Sequence, residues 1–326
     1  MTSFWKDRSV FLTGGGGFVG GWLAKALVDK GARVVCLLRD DVSDCVLRLQ
    51  GTYDRVSKVR GDICDYATIE RAINEYEADT VFHLAAQALV STANRSPLGT
   101  FDANIRGSWN VLEAARTVGT VTRTVVASSD KAYGAHDTLP YKEDFAMQGL
   151  HPYDASKSCT DILARTYAHT WGMPVSVTRC GNIYGGGDLN WNRIVPDTIQ
   201  ALLKGSPPMV RSDGTFLRDY LYVEDAADAY MTLAEATHRD DVKGRAFNFG
   251  LGHPVSVLDI VRQLVEIHGE NLEPVILNQA SGEIRDQYQD CSLAAEVLNW
   301  KPTHDLEAGL RKSYDWYSAF LATQGR

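Results

Sequence analysis

An α/β fold, a doubly wound parallel sheet with a smaller mixed α/β lobe, is predicted for this chain of 326 residues by three observations. Short apolar runs alternate with stretches of helical periodicity through about residue 180, the pattern of a parallel sheet covered on both faces. The first run, Ser9 to Thr13, opens directly into a glycine-rich turn and then a helical spacing of Trp22, Leu23, Ala26 and Leu27. Beyond about residue 180 the chain becomes irregular and glycine-rich, and Pro207-Pro208 and Asp213-Gly214 mark turns.

The turn reads Gly14-Gly15-Gly16-Gly17-Phe18-Val19-Gly20. Glycines at 14, 17 and 20 suit a backbone that must turn tightly and approach a pyrophosphate, with a helix amino terminus behind it to favour the anion. Strand before and helix after make this a Rossmann-type dinucleotide site, with Phe18 and Val19 opening the helix. Arg33 to Leu38 is the second strand. Leu38 occupies the place where an NAD-selective acid is often found; Arg39 could hold the 2′-phosphate of NADP, and Asp40 could still serve NAD. Val56 to Val59 is a third strand, followed by Asp62, placed to meet the adenine edge, and Ile63. Ile69 to Tyr76 is helical. Thr80 to Leu84 is a fourth strand, and the small residues Ala85 and Ala86 let the backbone pack closely on a cofactor.

A long amphipathic helix is expected from Phe101 to Val118, a fifth strand from Thr122 to Ala127, a helix from Tyr153 to Trp171 and a strand from Pro174 to Thr178. Val195 to Leu203 and Val257 to His268 are helical, Phe247 to Gly250 is a returning strand, Val275 to Leu277 a short one, and a helix from about Leu306 closes the chain. The expected organisation is a dinucleotide-binding domain over 1–180, with a returning segment at about 219–250, and a substrate lobe from 181–218 and 251–326.

Composition bounds the function. A net charge of −8 disfavours nucleic acid and anionic membrane as partners, which select basic surfaces. Cys36, Cys45, Cys64, Cys159, Cys180 and Cys291 show no metal spacing, so no metal is expected and the thiols read as reduced core residues. The amino terminus lacks a basic-then-apolar signal pattern, and no apolar run approaches the ~20 residues of a membrane span. A cytoplasmic protein is expected.

The chemistry converges on 125–157. Val125 to Ala127 emits Ser128, Ser129, Asp130 and Lys131 at a strand's carboxyl end, and Tyr153 and Lys157 lie four residues apart. On a helix that spacing puts both side chains on one face, about 5–6 Å apart at Cβ. A fixed lysine favours the phenolate and so should lower the Tyr153 pKa. His83 reads as a satisfied histidine at a strand end rather than a catalyst.

With these pieces placed, the whole chain resembles the extended short-chain dehydrogenase/reductase family that modifies nucleotide sugars. T-G-G-G-G-F-V-G (13–20), H-L-A-A-Q (83–87), N-I-R-G-S-W-N-V-L-E-A (104–114), Y-D-A-S-K (153–157) and R-D-Y-L-Y-V-E-D (218–225) fall in the family's order. The opening F-W-K-D-R-S-V-F-L-T-G, the Ser-Asp-Lys at 129–131 and G-N-I-Y-G-G-G-D (181–188) are most similar to CDP-glucose 4,6-dehydratases. The 218–225 segment resembles epimerases more, and Arg39 resembles NADP-type relatives.

The resemblance implies a tightly bound NAD or NADP and a nucleotide-diphosphate hexose that is oxidised at C4, loses water across C5 and C6, and regains hydride at C6. It implies Tyr153 as base at the C4 hydroxyl, Lys157 beside it on the nicotinamide ribose, Ser129 on the same oxygen, Asp130 as acid for the C6 hydroxyl, and Lys131 as base at C5 or as enolate stabiliser. Asp130 must then carry a proton. Holding a lysine of ordinary basicity neutral at pH 7 costs roughly 4–5 kcal/mol, which burial and a second cation reduce. Arg193, Arg218 and Arg285 are expected at the diphosphate, with Asn182 on a phosphate or sugar oxygen and Gln87 on the sugar. A homodimer through a four-helix bundle of the helices at 101–118 and 153–171 is also implied. A 4-epimerase, which oxidises without eliminating, is the alternative. A cofactor-binding protein without turnover is a third reading.

Overall fold

The computed structural model describes residues 3–279 and 284–324. β1 (Ser9–Thr13), β2 (Arg33–Leu38), β3 (Ser57–Arg60), β4 (Thr80–His83), β5 (Arg123–Ala127) and β6 (Val175–Cys180) lie in one parallel sheet with the returning strand Ala246–Phe249. The order is β3-β2-β1-β4-β5-β6, with 246–249 at the far edge. The winding reverses between β1 and β4, and ligands bind in such folds outside the strands' carboxyl ends at that switch point.

Alternation along the strands builds two cores. On one face Val34, Cys36 and Leu38 pack with Val10 and Leu12 under helices Phe18–Asp29 and Val223–Ala236. On the other, Val35 and Leu37 pack with Phe11 under helices Tyr66–Glu75, Gly107–Val118 and Pro152–Trp171. A third core joins Tyr184, Val195, Ile199, Tyr222, Ile260, Leu264, Leu310 and Tyr317. Three small sheets lie outside the main one: Asn182–Tyr184 beside Tyr220–Tyr222, Leu217–Arg218 between Val255–Ser256 and Asp286–Gln287, and Met209–Val210 beside Val275–Ile276.

One expected element takes another form. The helix expected from Phe101 starts earlier, as Pro97–Phe101, and widens into a π turn at Asp102–Arg106 before Gly107–Val118. Asn104, inside that turn, spends its side chain on Gln87: Oδ1 accepts from the Gln87 amide at 2.7 Å, and Nδ2 lies 3.2 Å from its carbonyl and 2.8 Å from Ser156 Oγ. Such bulges cluster at functional sites because they redirect a side chain without ending the helix. The polar stretch after β5 is a 3₁₀ turn, Asp130–Tyr133. No described helix is long and apolar enough to cross a membrane, and all six cysteines are free.

Candidate active site

The glycine turn is a cradle that side chains would fill. A Cβ on Gly20 would sit 2.1 Å from the Gly14 carbonyl oxygen, and one on Gly14, at φ 77°, would sit 2.7 Å from the Ala85 amide nitrogen. The turn therefore closes β1 against the segment after β4, and Thr13 Oγ1 accepts from Ala85 N at 3.2 Å. Gly17 caps the following helix without a side-chain bond, and its first turn carries no acid. The first-turn N–H groups, those of Phe18, Val19 and Gly20, have no intrahelical partner and face an anion favourably. A dinucleotide pyrophosphate fits this cradle. Leu84, Ala85 and Ala86 are half-buried along its wall.

At the end of β2 the Arg39 guanidinium lies 2.8 Å from the Asp40 carboxylate, both exposed. Asp62 is turned onto its own loop: Oδ1 accepts from Cys64 N at 2.8 Å. Ile63 is buried against Gly107, and its carbonyl accepts from Asn110 Nδ2 at 3.0 Å. His83 is bonded on both sides, 2.8 Å from Thr13 Oγ1 and 3.0 Å from Ser108 Oγ. Burial, and then Lys157, push its pKa down to about 3, so it is neutral and structural, as its strand-end position led us to expect.

The reactive groups come from β5's carboxyl end and the helix Pro152–Trp171. Ser129 Oγ donates to Asp130 Oδ1 at 3.0 Å and accepts from the Lys131 amide at 3.2 Å. Asp130 is 2% exposed, and its other oxygen, Oδ2, is buried with no hydrogen-bond partner among the described residues. Lys131 Nζ donates to Gln287 Oε1, across 156 residues of sequence. Ser158 Oγ donates to the Ala132 carbonyl at 2.9 Å, fastening the turn to the helix.

Lys157 is tied to the end of β5. Its Nζ donates to the Ala127 carbonyl at 2.7 Å, and burial pushes its pKa down to about 8. The Tyr153 phenol is pushed up to about 12, first by burial and then by the Asp130 charge, while Arg193 and the Ser129 hydroxyl pull the other way. The phenol thus keeps its proton until a further cation faces it. Asp130 and Ser129 from the turn, and Arg193 from beyond residue 180, thus act on the charge of Tyr153.

The second-lobe cations are engaged within the protein. Arg193 Nη1 lies 2.9 Å from Asp188 Oδ2. Arg218 is buried; Nη1 donates to the Leu217 and Arg285 carbonyls at 2.8 and 2.6 Å, and Nη2 to the Ile284 carbonyl at 2.8 Å. Exposed Arg285 reaches Thr215 Oγ1 at 3.1 Å. Asn182 is half-buried, its amide bonded to the Asp219 carbonyl at 2.8 Å, and Gln87 Oε1 accepts from Leu89 N at 3.1 Å.

Sequence reasoning missed Asp219, though it stands inside the 218–225 motif. It is 1% exposed; Oδ1 accepts from Leu251 N at 2.8 Å and Oδ2 has no hydrogen-bond partner. Burial raises its pKa to about 7, and the Asp130 charge adds to the rise, against backbone N–H groups that lower it. A raised folded-state pKa means stability that is complete below the unfolded value, 3.8, and lost as pH rises through about 7. Wild type should therefore lose about 2–3 kcal/mol relative to Asp219→Asn between about pH 5 and about pH 8. Urea denaturation at both pH values checks this, and parallel curves for the two proteins would refute it.

Residues 11–313 match the profile of the family described as GDP-mannose 4,6 dehydratase. The chain is 27% identical to a CDP-glucose 4,6-dehydratase of Salmonella typhimurium, over 98% of this chain and 93% of that one. It is 30% identical to a dTDP-glucose 4,6-dehydratase of Xanthomonas campestris, over 94% of this chain and 92% of that one. A solved UDP-glucose-4-epimerase from Stenotrophomonas maltophila, with bound NAD and formylated UDP-arabinopyranose, superposes at a TM-score of 0.86 and 27% identity, over 97% of this chain and 99% of that one.

Proposed function

The chain belongs to the GDP-mannose 4,6 dehydratase family, and from that premise we propose that it is a cytoplasmic hydro-lyase converting a nucleotide-diphosphate hexose to its 4-keto-6-deoxy form. The observation that carries this reading is the buried Asp130, with one carboxyl oxygen left unpartnered, and the amine of Lys131 beside it, in the turn next to Tyr153. Epimerisation at C4 needs the tyrosine alone. An elimination needs an added acid and base.

A nicotinamide dinucleotide bound along the glycine cradle supplies the acceptor and later the donor of hydride. Tyr153 takes the C4 hydroxyl proton, with Ser129 bonded to the same oxygen and Lys157 holding the ribose. The C4 ketone makes the C5 hydrogen acidic. Lys131, as the neutral amine, takes that proton; protonated Asp130 gives its own to the C6 hydroxyl, which leaves as water. After hydride reaches C6, the Lys131 ammonium returns a proton to C5. Arg193, Arg218 and Arg285 hold the diphosphate, and Asn182 and Gln87 the sugar. Arg39 is already paired with Asp40, which favours NAD over NADP.

The domain division we propose is 1–180 with a returning segment at about 219–250 for the cofactor, and 181–218 with 251–326 for the sugar nucleotide. Exposed Leu98, Trp109 and Ile162 lie on the helices at 97–118 and 152–171, an apolar face suited to a four-helix homodimer interface.

Incubation with CDP-, UDP-, dTDP- and GDP-hexoses should give, with one of them, a 4-keto-6-deoxy product absorbing in alkali. In deuterated water that product should carry deuterium at C5. An epimer without keto product, or retention of the original C5 hydrogen, rules the dehydratase out. The mass of the co-purified dinucleotide separates NAD from NADP.

A further inference from the structure

We propose that Gln287 is the positioning residue for Lys131, so that the second lobe completes the acid–base apparatus of the first. This rests on the dehydratase reading above. A lysine carries its amine on a flexible four-carbon stem with many rotamers, and proton transfer needs the nitrogen held at one point. Lys131 Nζ is held by Gln287 Oε1. Gln287 is 2% exposed and its backbone is fixed from several directions. It pairs with Arg218 in the strand register, and its carbonyl accepts from Asp219 N at 3.2 Å. Upstream, the Arg218 guanidinium grips the Ile284 and Arg285 carbonyls. Downstream, the Tyr141 amide donates to the Tyr288 carbonyl at 2.9 Å and Asp290 N to the Tyr141 carbonyl at 2.8 Å. The segment 284–290 is thus a strap laid over the catalytic turn, and Gln287 is where it touches the reacting amine.

The chemical type of the anchor matters. A carboxylate at 287 would favour the ammonium and oppose its conversion to a base. A neutral amide oxygen orients the same nitrogen with a weaker bias toward the charged form. The charges facing this point are those of Asp130 on the turn and Asp154 on the long helix, whose pKa burial raises against the opposing pull of Lys131; Tyr141 and Arg218 lie against the strap itself. Gln287 therefore supplies geometry, while the charged neighbours set the balance between the two forms of the amine.

Gln287→Leu and Gln287→Glu test the assignment in the full-length protein with its co-purified dinucleotide. Single-turnover reduced-cofactor absorbance reports C4 oxidation, and keto product reports dehydration. Gln287→Leu should lower dehydration about 10- to 100-fold, as expected of a misplaced reacting group, with oxidation within about threefold of wild type. Gln287→Glu should dehydrate with its acid limb moved to higher pH, because the added carboxylate holds the proton on Lys131. Equal loss of oxidation and dehydration in Gln287→Leu, or dehydration at the wild-type rate, overturns the inference while leaving the dehydratase reading intact. A wild type that makes only an epimer overturns both.

Discussion

Replacing Asp130 by Asn and Lys131 by Met together is expected to leave oxidation at C4 running and to stop the expulsion of water. Both changes preserve shape. Asn keeps the oxygen that accepts from Ser129 Oγ, and Met keeps the length and most of the apolar stem of Lys131. What is lost is a proton donor at C6 and a proton acceptor at C5. General acid–base groups contribute about 10²–10⁴-fold each. Two groups serving one elimination act as a unit, so their losses do not multiply. The double variant should therefore dehydrate about 10³- to 10⁴-fold more slowly. Reduced-cofactor absorbance should rise to the enzyme concentration and stay there, and no deuterium should enter C5 from the solvent. Dehydration within tenfold of wild type would place the acid and base elsewhere.

The parts of this site that were legible in the sequence are those carried by one element at a time. The run Ser9 to Thr13 followed by glycines at 14, 17 and 20 fixes strand, turn and helix locally, and β1, β2 and the helix Val257–His268 have the bounds that periodicity assigned. Ser129 to Lys131 were legible because polar residues leave a buried strand at its carboxyl end. The rest depends on contacts between distant segments. Nothing near Gln287 in sequence announces that it meets Lys131. Arg218 is legible as a candidate phosphate ligand by position, but position does not tell that its guanidinium also staples the strap at 284–285. The spacing of Tyr153 and Lys157 is correct, but spacing cannot say that the lysine amine turns to the Ala127 carbonyl or that Asp130 helps to hold the phenol's proton. Electrostatic balance in a buried site is a sum over all neighbours, and most of those neighbours are remote in the chain.

The turn carrying Asp130 and Lys131 is held from behind by the most deeply buried ion pair in the protein's described residues, and breaking it should be costly. Arg179 on β6 and Asp161 on the long helix are 1% and 0% exposed. The pair is bidentate, Nε to Oδ2 at 2.8 Å and Nη2 to Oδ1 at 3.0 Å. Arg179 Nη1 also donates to Tyr133 Oη at 2.7 Å and to the Glu143 carbonyl at 2.9 Å, and Tyr133 Oη donates to Asn248 Oδ1 at 2.7 Å. Tyr133 ends the catalytic turn, so this network joins β6, the long helix, the edge strand and the site. Arg179→Met leaves the Asp161 carboxylate buried with only Arg165, itself half in solvent, at 2.8 Å. Removing one partner of a buried pair costs about 3–5 kcal/mol, chiefly because the other charge stays desolvated. Arg165→Ala, which removes only an exposed arm, should cost no more than about 1 kcal/mol. Urea denaturation of the two variants measures the difference, and equal costs would refute the ranking. If the penalty is the stranded charge, adding Asp161→Leu to Arg179→Met should recover most of it. If the network's service is to hold Tyr133, that double variant should regain stability and still dehydrate slowly, because a packed apolar pair restores the core without restoring the bond behind the turn.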